Sequence, residues 1–494
     1  MTDAKAYDVI VVGGGAAGCV AAARLAESKS RSVLLLEAGP DRRADMPPEL
    51  RNGWTIEREP FDWGYESEPH AGRPRPLRRK KLLGGTSWLT RFTPRGSPAD
   101  YDGWEKLGNP GWSFSDVLPY FIRLETDIDF GSDPWHGRSG PMPSARYLDL
   151  EHAAICHAAI QALPAAGFPN VDDHNRPGAV GAGRMPMNTS NGIRVTTADG
   201  YLPLGATPPN LTIRADSQVA GVVFDEQSRA RGVRLVDGTT VEGGWVVLCA
   251  GTYGTPPILM RSGVGPSKHL RDHGIRVLVD LPGVGANLAD HPAVLLDFGY
   301  AGPGRATPVL HTIATFHSAG RSTRDTPDLM FWLADPTEDD PTFSIEIVLL
   351  RPLSRGKVRL RSADPTDPPV IELPKLNEAS DVERLGEGYR RALTIANDRA
   401  VRELCGGGAP AEPDRLDELI RAEEYSIPHV VGTCAMGPRP EEGGVVDATG
   451  RVHGTGGLSV VDASIMPDVP SGFIHFPVIM IAERLSELIG LSAP

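Results

Sequence analysis

The stretch that decides the fold is YDVIVVGGGAAGCVAAARLAESKSRSVLLLEAG, Tyr7 to Gly39. Tyr7–Val12 is an apolar, β-branched run, which suits a strand covered on both faces. A glycine cluster follows, and then an alanine-rich segment from Ala17 to about Glu27 that predicts a helix. A second apolar run, residues 32–36, ends in Glu37. Strand, helix and strand within about 30 residues form a βαβ unit, the setting in which a G-x-G-x-x-G carries information.

Here that motif is Gly13-Gly14-Gly15-Ala16-Ala17-Gly18. Gly13 allows the tight turn, Gly15 lets the backbone approach a pyrophosphate, and Gly18 lets helix and strand pack closely. The helix N-terminus offers unpaired N–H groups to the anion. Glu37, 19 residues after Gly18, stands where a carboxylate accepts hydrogen bonds from both ribose hydroxyls and repels a 2′-phosphate. The unit therefore points to a bound adenine dinucleotide of the non-phosphorylated kind.

Outside this unit the 494 residues are rich in Gly (56) and Pro (45), yet 40% are hydrophobic and 23% charged. Such a chain buries a large core, which excludes disordered and collagen-like order. The net charge of −13 argues against a nucleic-acid partner. Five scattered cysteines without a C-x-x-C pair give neither a disulfide framework nor a zinc site, and no metal is expected; a reducing cytosol fits best. No apolar run reaches the ~18 residues that span a bilayer, although peripheral membrane contact stays compatible.

Further along, residues 116–124 read as a helix capped by Ser115, and residues 148–162 as another. Residues 210–244 alternate like a meander of strands, and Trp245 to Ala250 forms an apolar strand entering Gly251. Short β-like runs fill residues 294–350. Helices are expected over 381–398 and 477–489.

Distant segments identify the dinucleotide. These are GTYGTPPILMRSGVG (251–265), PGVGANLADHP (282–292), YSIPHVVGTCAMG (425–437) and LSVVDASIMPDVPSGFIHFPVIMIAER (458–484). Together with LLGGTSW and RGSPADYDGW (82–104) and PLSRGKVRLRSADPTDPPVI (352–371), they resemble the glucose–methanol–choline (GMC) oxidoreductases along the whole chain. That resemblance implies an α/β (α+β) fold: a Rossmann-like FAD-binding domain of the p-hydroxybenzoate-hydroxylase type, interleaved with an antiparallel-sheet substrate domain. The divisions expected are 1–295 (mainly FAD-binding, with cap and substrate loops), 296–424 (mainly substrate-binding) and 425–494 (a catalytic segment returning to the FAD-binding domain).

It also implies site residues. Gly13, Gly15, Gly18, Glu37 and Ala38 hold the ADP half of FAD, with Val219 at the adenine. Gly84, Gly85 and Thr86 lie along the pyrophosphate and flavin, beside Ala250. Asp462 and Ala463 sit on the pyrophosphate–ribityl side, and the HFP segment with Phe476 and Pro477 approaches the pyrimidine edge. His429, in H-x-x-G-T-x-x-M-G, is the catalytic base, and His475 is its orienting partner on the substrate oxygen. His291 reads as structural, Cys434 and Met436 as packing, and His136 as a loop residue within reach of the substrate.

Two features depart from the pattern. The first family signature is one residue short, so Thr90 falls where Asn or His faces the flavin; Trp88 and Leu89 stand where a linking His would be, which implies non-covalent FAD. A basic cluster, RPRPLRRKK (73–81), is open to three readings: a solvated loop, pyrophosphate support, or docking of an anionic acceptor or membrane surface. The activity implied is oxidation of an alcohol, with dioxygen, a quinone or another redox carrier as acceptor. Flavin lyase or decarboxylase chemistry is the alternative. The expected location is cytoplasmic, with membrane association compatible.

Overall fold

The computed structural model describes residues 6–55, 60–69, 74–300, 302–304, 308–322, 325–406 and 410–492. Strand Tyr7–Val12 runs parallel between Val33–Leu36 and Thr240–Leu248. Leu211–Arg214 extends the sheet on one side and Leu458–Val460 pairs with Thr240–Leu248 on the other, both parallel. Helix Ala16–Leu25 packs on this sheet and helix His475–Gly490 packs against that helix, and strand residues such as Val9, Ile10, Val11 and Leu35 are fully buried. Burial of successive residues on both faces is why the strands tolerate apolar residues at successive positions.

The stretch 210–244 does not form one meander. Leu211–Arg214 lies parallel to Val33–Leu36, and Val219–Phe224, Ala230–Leu235 and Thr240–Leu248 form the antiparallel hairpins. Asn210 explains the split: its Nδ2 donates to the carbonyls of Ala26, Ser28 and Arg31, which ties the start of that strand to the turn after the first helix. Two helix starts also differ. Ser113, not Ser115, caps Phe114–Leu124, its Oγ accepting the Asp116 amide at 3.4 Å. The helix expected from 148 begins at Ala154, because Asp335 takes the Ala153 amide (3.0 Å) and pairs with His152 Nδ1 (2.7 Å), holding the preceding chain extended.

A second sheet is antiparallel. Its order is Tyr425–Val431, Ala289–Asp297, Ser344–Leu349, Leu329–Ala334, His311–Phe316, Ala182–Arg184. Side chains alternate across it with period two. Leu329, Phe331, Leu333, Ile345 and Ile347 pack on helix Ala379–Ala396. Met330, Val348, Ala293, Ile313 and Ile427 face the other way, against Phe92, Met185, Met187 and Phe473. That second face is turned toward the parallel-sheet half of the molecule, and strands on both sides of residues 296 and 424 contribute to it.

Candidate active site

A cavity opens at the carboxyl ends of the parallel strands, where Val12, Leu36 and Cys249 meet their following loops. Gly13 makes the turn with φ +98°, and a Cβ there would come 2.7 Å from the Cys249 carbonyl oxygen. At Gly18 a Cβ would overlap the Gly13 carbonyl oxygen at 1.8 Å, so helix and turn touch directly. A Cβ on Gly15 would instead meet no atom within 4 Å, since Gly15 borders the cavity with its bare backbone at the helix N-terminus.

The other segments close around this loop. The Gly84 amide donates to the Gly14 carbonyl at 2.7 Å, and Gly85, at φ +50°, lies against Gly15. Gly85, Thr86 and Thr90 border the cavity, whereas Gly84 supports it from behind. Glu37 borders it too; Oε2 accepts the Gly14 amide (2.7 Å) and Oε1 the Gly39 amide (2.8 Å). A carboxylate has about four acceptor sites, so two stay available for ribose hydroxyls. Burial raises the Glu37 pKa, against the pull of those amides.

Ala38, Val219 and Ala250 line further parts of the wall, as do Asp462 and Ala463. Asp462 is occupied by the protein itself. Its Oδ2 accepts the Gly251 amide and Thr255 Oγ1, and its Oδ1 accepts the amide and hydroxyl of Ser464. It thereby fixes two cavity loops to each other. The bare Gly15 backbone, the helix N-terminus, the spare acceptors of Glu37 and a lining that runs from Val219 past Gly15 to His475 together fit an adenine dinucleotide.

His429 sits on strand Tyr425–Val431, between Pro428 and Val430, which both line the cavity. It is half-buried. Burial, with His291 and Arg79 beside it, holds its pKa well below the usual imidazole range, so the ring is neutral at physiological pH. Two contacts hold the ring: His291, with Nδ1 to Nδ1 at 3.0 Å, and Phe473, with ring centroids 4.7 Å apart. Asp290 sets the pair, its Oδ1 accepting the backbone amides of both His291 (2.8 Å) and His429 (2.9 Å). Burial pushes the Asp290 carboxyl up to about 7, and Ser426 Oγ donates to its other oxygen.

His475 is expected to share the substrate oxygen with His429, and among the described residues the two rings are not in direct contact. Among the described residues, the imidazole in contact with His429 is His291, and the side chain from the SGFIHFP segment is Phe473. His475 opens helix His475–Gly490 and borders the cavity together with Ile474 and Val478. Its Nε2 is buried without a hydrogen-bond partner among the described residues, and burial brings its pKa down to about 3. Helical periodicity places 475 and 478 on one face. Phe476 and Pro477 consequently turn into the core and do not border the cavity.

His136 also lies elsewhere. It is buried in an ion network, with Nδ1 3.1 Å from Glu125 and Nε2 2.9 Å from Asp173, so it does not reach the cavity. The basic cluster is built into the fold over its described part: Arg79 and Lys80 border the cavity, Lys81 lies over Trp63, and Arg75 pairs with Glu424. Arg73 falls outside the described residues. Cys434 and Met436 are core residues, as expected. Sequence reasoning overlooked Asp290 and Phe473; the signal for the first was its place beside His291 in NLADHP, and Phe473 carried none without a partner to pack on.

No helix among the described residues is long and apolar enough to cross a membrane. The chain matches the family models described as GMC oxidoreductase over residues 7–293 and 352–482. It is similar to an oxygen-dependent choline dehydrogenase of Paraburkholderia phymatum, at 35% identity over 99% of this chain and 94% of that one. It is similar also to a 5-(hydroxymethyl)furfural oxidase of a Methylovorus species, at 33% identity over 99% of both chains. Among solved structures, pyridoxine 4-oxidase from Mesorbium loti superposes with a TM-score of 0.88 at 30% identity, covering 98% of this chain and 99% of that one. With both family models matched and full-length relatives above 30% identity, the chain belongs to the GMC oxidoreductase family and is an FAD-dependent alcohol oxidoreductase.

Proposed function

We propose that this enzyme oxidises an alcohol to an aldehyde or ketone with His429 as the base that takes the hydroxyl proton. The carrying observation is the neutral imidazole clamped by Asp290 and His291, on a strand whose flanking residues Pro428 and Val430 line the cavity while the His429 ring itself packs against Phe473. FAD, when bound non-covalently along the cavity, supplies the acceptor for the hydride at its N5. The chain does the rest. His429 accepts the proton as the C–H bond breaks, so the two hydrogens leave the alcohol together and no charged alkoxide is released into the apolar surroundings. Phe473 and Phe92, 5.4 Å apart, and Trp332 behind them form an apolar wall beside the base. This wall excludes water and keeps the imidazole neutral.

Names of the relatives support a primary alcohol carried on a small organic molecule, and the terminal acceptor is dioxygen, a quinone or another redox carrier. Five cysteines without a disulfide fit a cytosolic site of action. Anaerobic mixing with a panel of alcohols tests the reading: the yellow of the holoenzyme bleaches with the right one. Readmitted air then restores the colour quickly if the acceptor is dioxygen and slowly otherwise. His429→Ala is expected to keep its FAD and bleach at least about a hundredfold more slowly. Bleaching at the parent rate overturns the assignment of the base.

A further inference from the structure

We infer that His291 is a positioning residue that fixes the tautomer of the His429 base. The inference rests on the reading of His429 as base, and it starts from the 3.0 Å contact between the two Nδ1 atoms. Two nitrogens at that distance require one proton between them. The other nitrogen of His291 decides whose proton it is. Among the described residues Nε2 of His291 is buried and makes no hydrogen bond of full geometry, and the backbone carbonyls of Leu350 and Pro470 act on the ring as weak acceptors. Carbonyls only accept, so a lone pair at Nε2 would be repelled and an N–H is favoured.

A neutral His291 with its proton on Nε2 has a lone pair on Nδ1. That lone pair accepts, and the proton in the contact belongs to Nδ1 of His429. Neutral His429 then has its own lone pair on Nε2, the nitrogen left to face the hydroxyl of a substrate. Burial pulls His291 down to about 3, so it stays the neutral acceptor across the working pH range. When Nε2 of His429 gains the substrate proton, the resulting imidazolium still donates from Nδ1 to His291, and the hydrogen bond strengthens as charge develops. Asp290 contributes by holding both backbones in register, so the two rings meet without a search.

The direct test is 15N NMR of selectively histidine-labelled oxidised holoenzyme, with His429 assigned by its loss in His429→Ala. A protonated Nδ1 and an unprotonated Nε2 are expected; the opposite tautomer overturns the proposal whatever the activity. Two variants add a functional readout. His291→Leu removes the acceptor and is expected to slow anaerobic bleaching about ten- to a hundredfold with FAD content unchanged. His291→Asn places an oxygen acceptor near the lost Nδ1 and is expected to restore most of that rate and the parent tautomer. A Leu variant that bleaches at the parent rate overturns the inference, as does an Asn variant as slow as Leu. If His429→Ala itself bleaches normally, the base assignment has failed instead. If His291→Leu does not fold, the NMR result on the parent protein decides alone.

Discussion

The proposed cofactor cradle and the proposed catalytic seam are built by opposite means. In the proposed cradle the wall is backbone: Gly13, Gly15 and Gly18 shape it through the side chains they lack, within one loop and one helix turn. In the proposed seam, the groups are side chains brought together over 138 residues or more of sequence, with Asp290 and His291 from one strand and His429 and Phe473 from the C-terminal region. A backbone site is encoded locally and fails by steric overlap. This side-chain site is assembled by pairing two strands of one sheet and packing the C-terminal segment against them, and it fails by loss of a partner.

The sharpest way to break this contrast is Gly18→Val. The added Cβ would overlap the Gly13 carbonyl oxygen at 1.8 Å, an atom that cannot swing away. We expect no FAD-loaded protein, read as absent yellow colour and early thermal unfolding of whatever is recovered. A stable yellow Gly18→Val protein would show that the cradle has slack, and that its glycines are not steric requirements.

The same contrast explains what could be read from residues alone. Tyr7 to Glu37 is contiguous, so its strand, helix and glycine spacing are visible together, and the structure places Gly13, Gly15 and Glu37 on one cavity. His429 could be proposed from its flanking motif because that motif is local. The neighbours of its ring could not. Which ring meets it depends on the register of Ala289–Asp297 against Tyr425–Val431, where His291 pairs with Ile427 past an irregularity in the ladder. It depends also on where helix His475–Gly490 starts: beginning at His475, that helix turns residue 475 toward the cofactor cavity and leaves residue 473 at the seam. Neither register nor helix start is written in the residues concerned; both follow from long-range pairing.

His475→Ala sharpens the division between the two regions. If His475 belongs to the cradle, the loss of one polar contact to the cofactor weakens FAD binding roughly tenfold. Bleaching by alcohol at saturating FAD should then change by no more than about threefold. Titration of the apoprotein with FAD and anaerobic stopped-flow measure the two quantities separately. Unchanged affinity with bleaching slowed a hundredfold would return His475 to the seam beside His429.

The smallest effect concerns what holds the seam in place. Phe92 reaches it from a segment that runs on to Arg95, whose guanidinium donates to the carbonyls of Asn175 and Trp135 and lies 3.9 Å from Glu125. Glu125 pairs in turn with His136, which also meets Asp127 and Asp173. Burial disfavours the charged His136, but hydrogen bonds to Asp173 and Glu125 outweigh it and push its pKa up to about 9. A group whose pKa rises on folding stabilises the protein fully below its unfolded value of about 6.5, and this contribution is lost as pH climbs through 9. At 1.36 kcal/mol per unit the upper bound is about 3 kcal/mol. The urea midpoint of the parent should therefore fall between pH 6 and 9 more steeply than that of His136→Gln, which should begin lower at pH 6. Parallel curves for the two proteins would mean that the network stays neutral at His136, and that the seam's outer support is packing rather than charge.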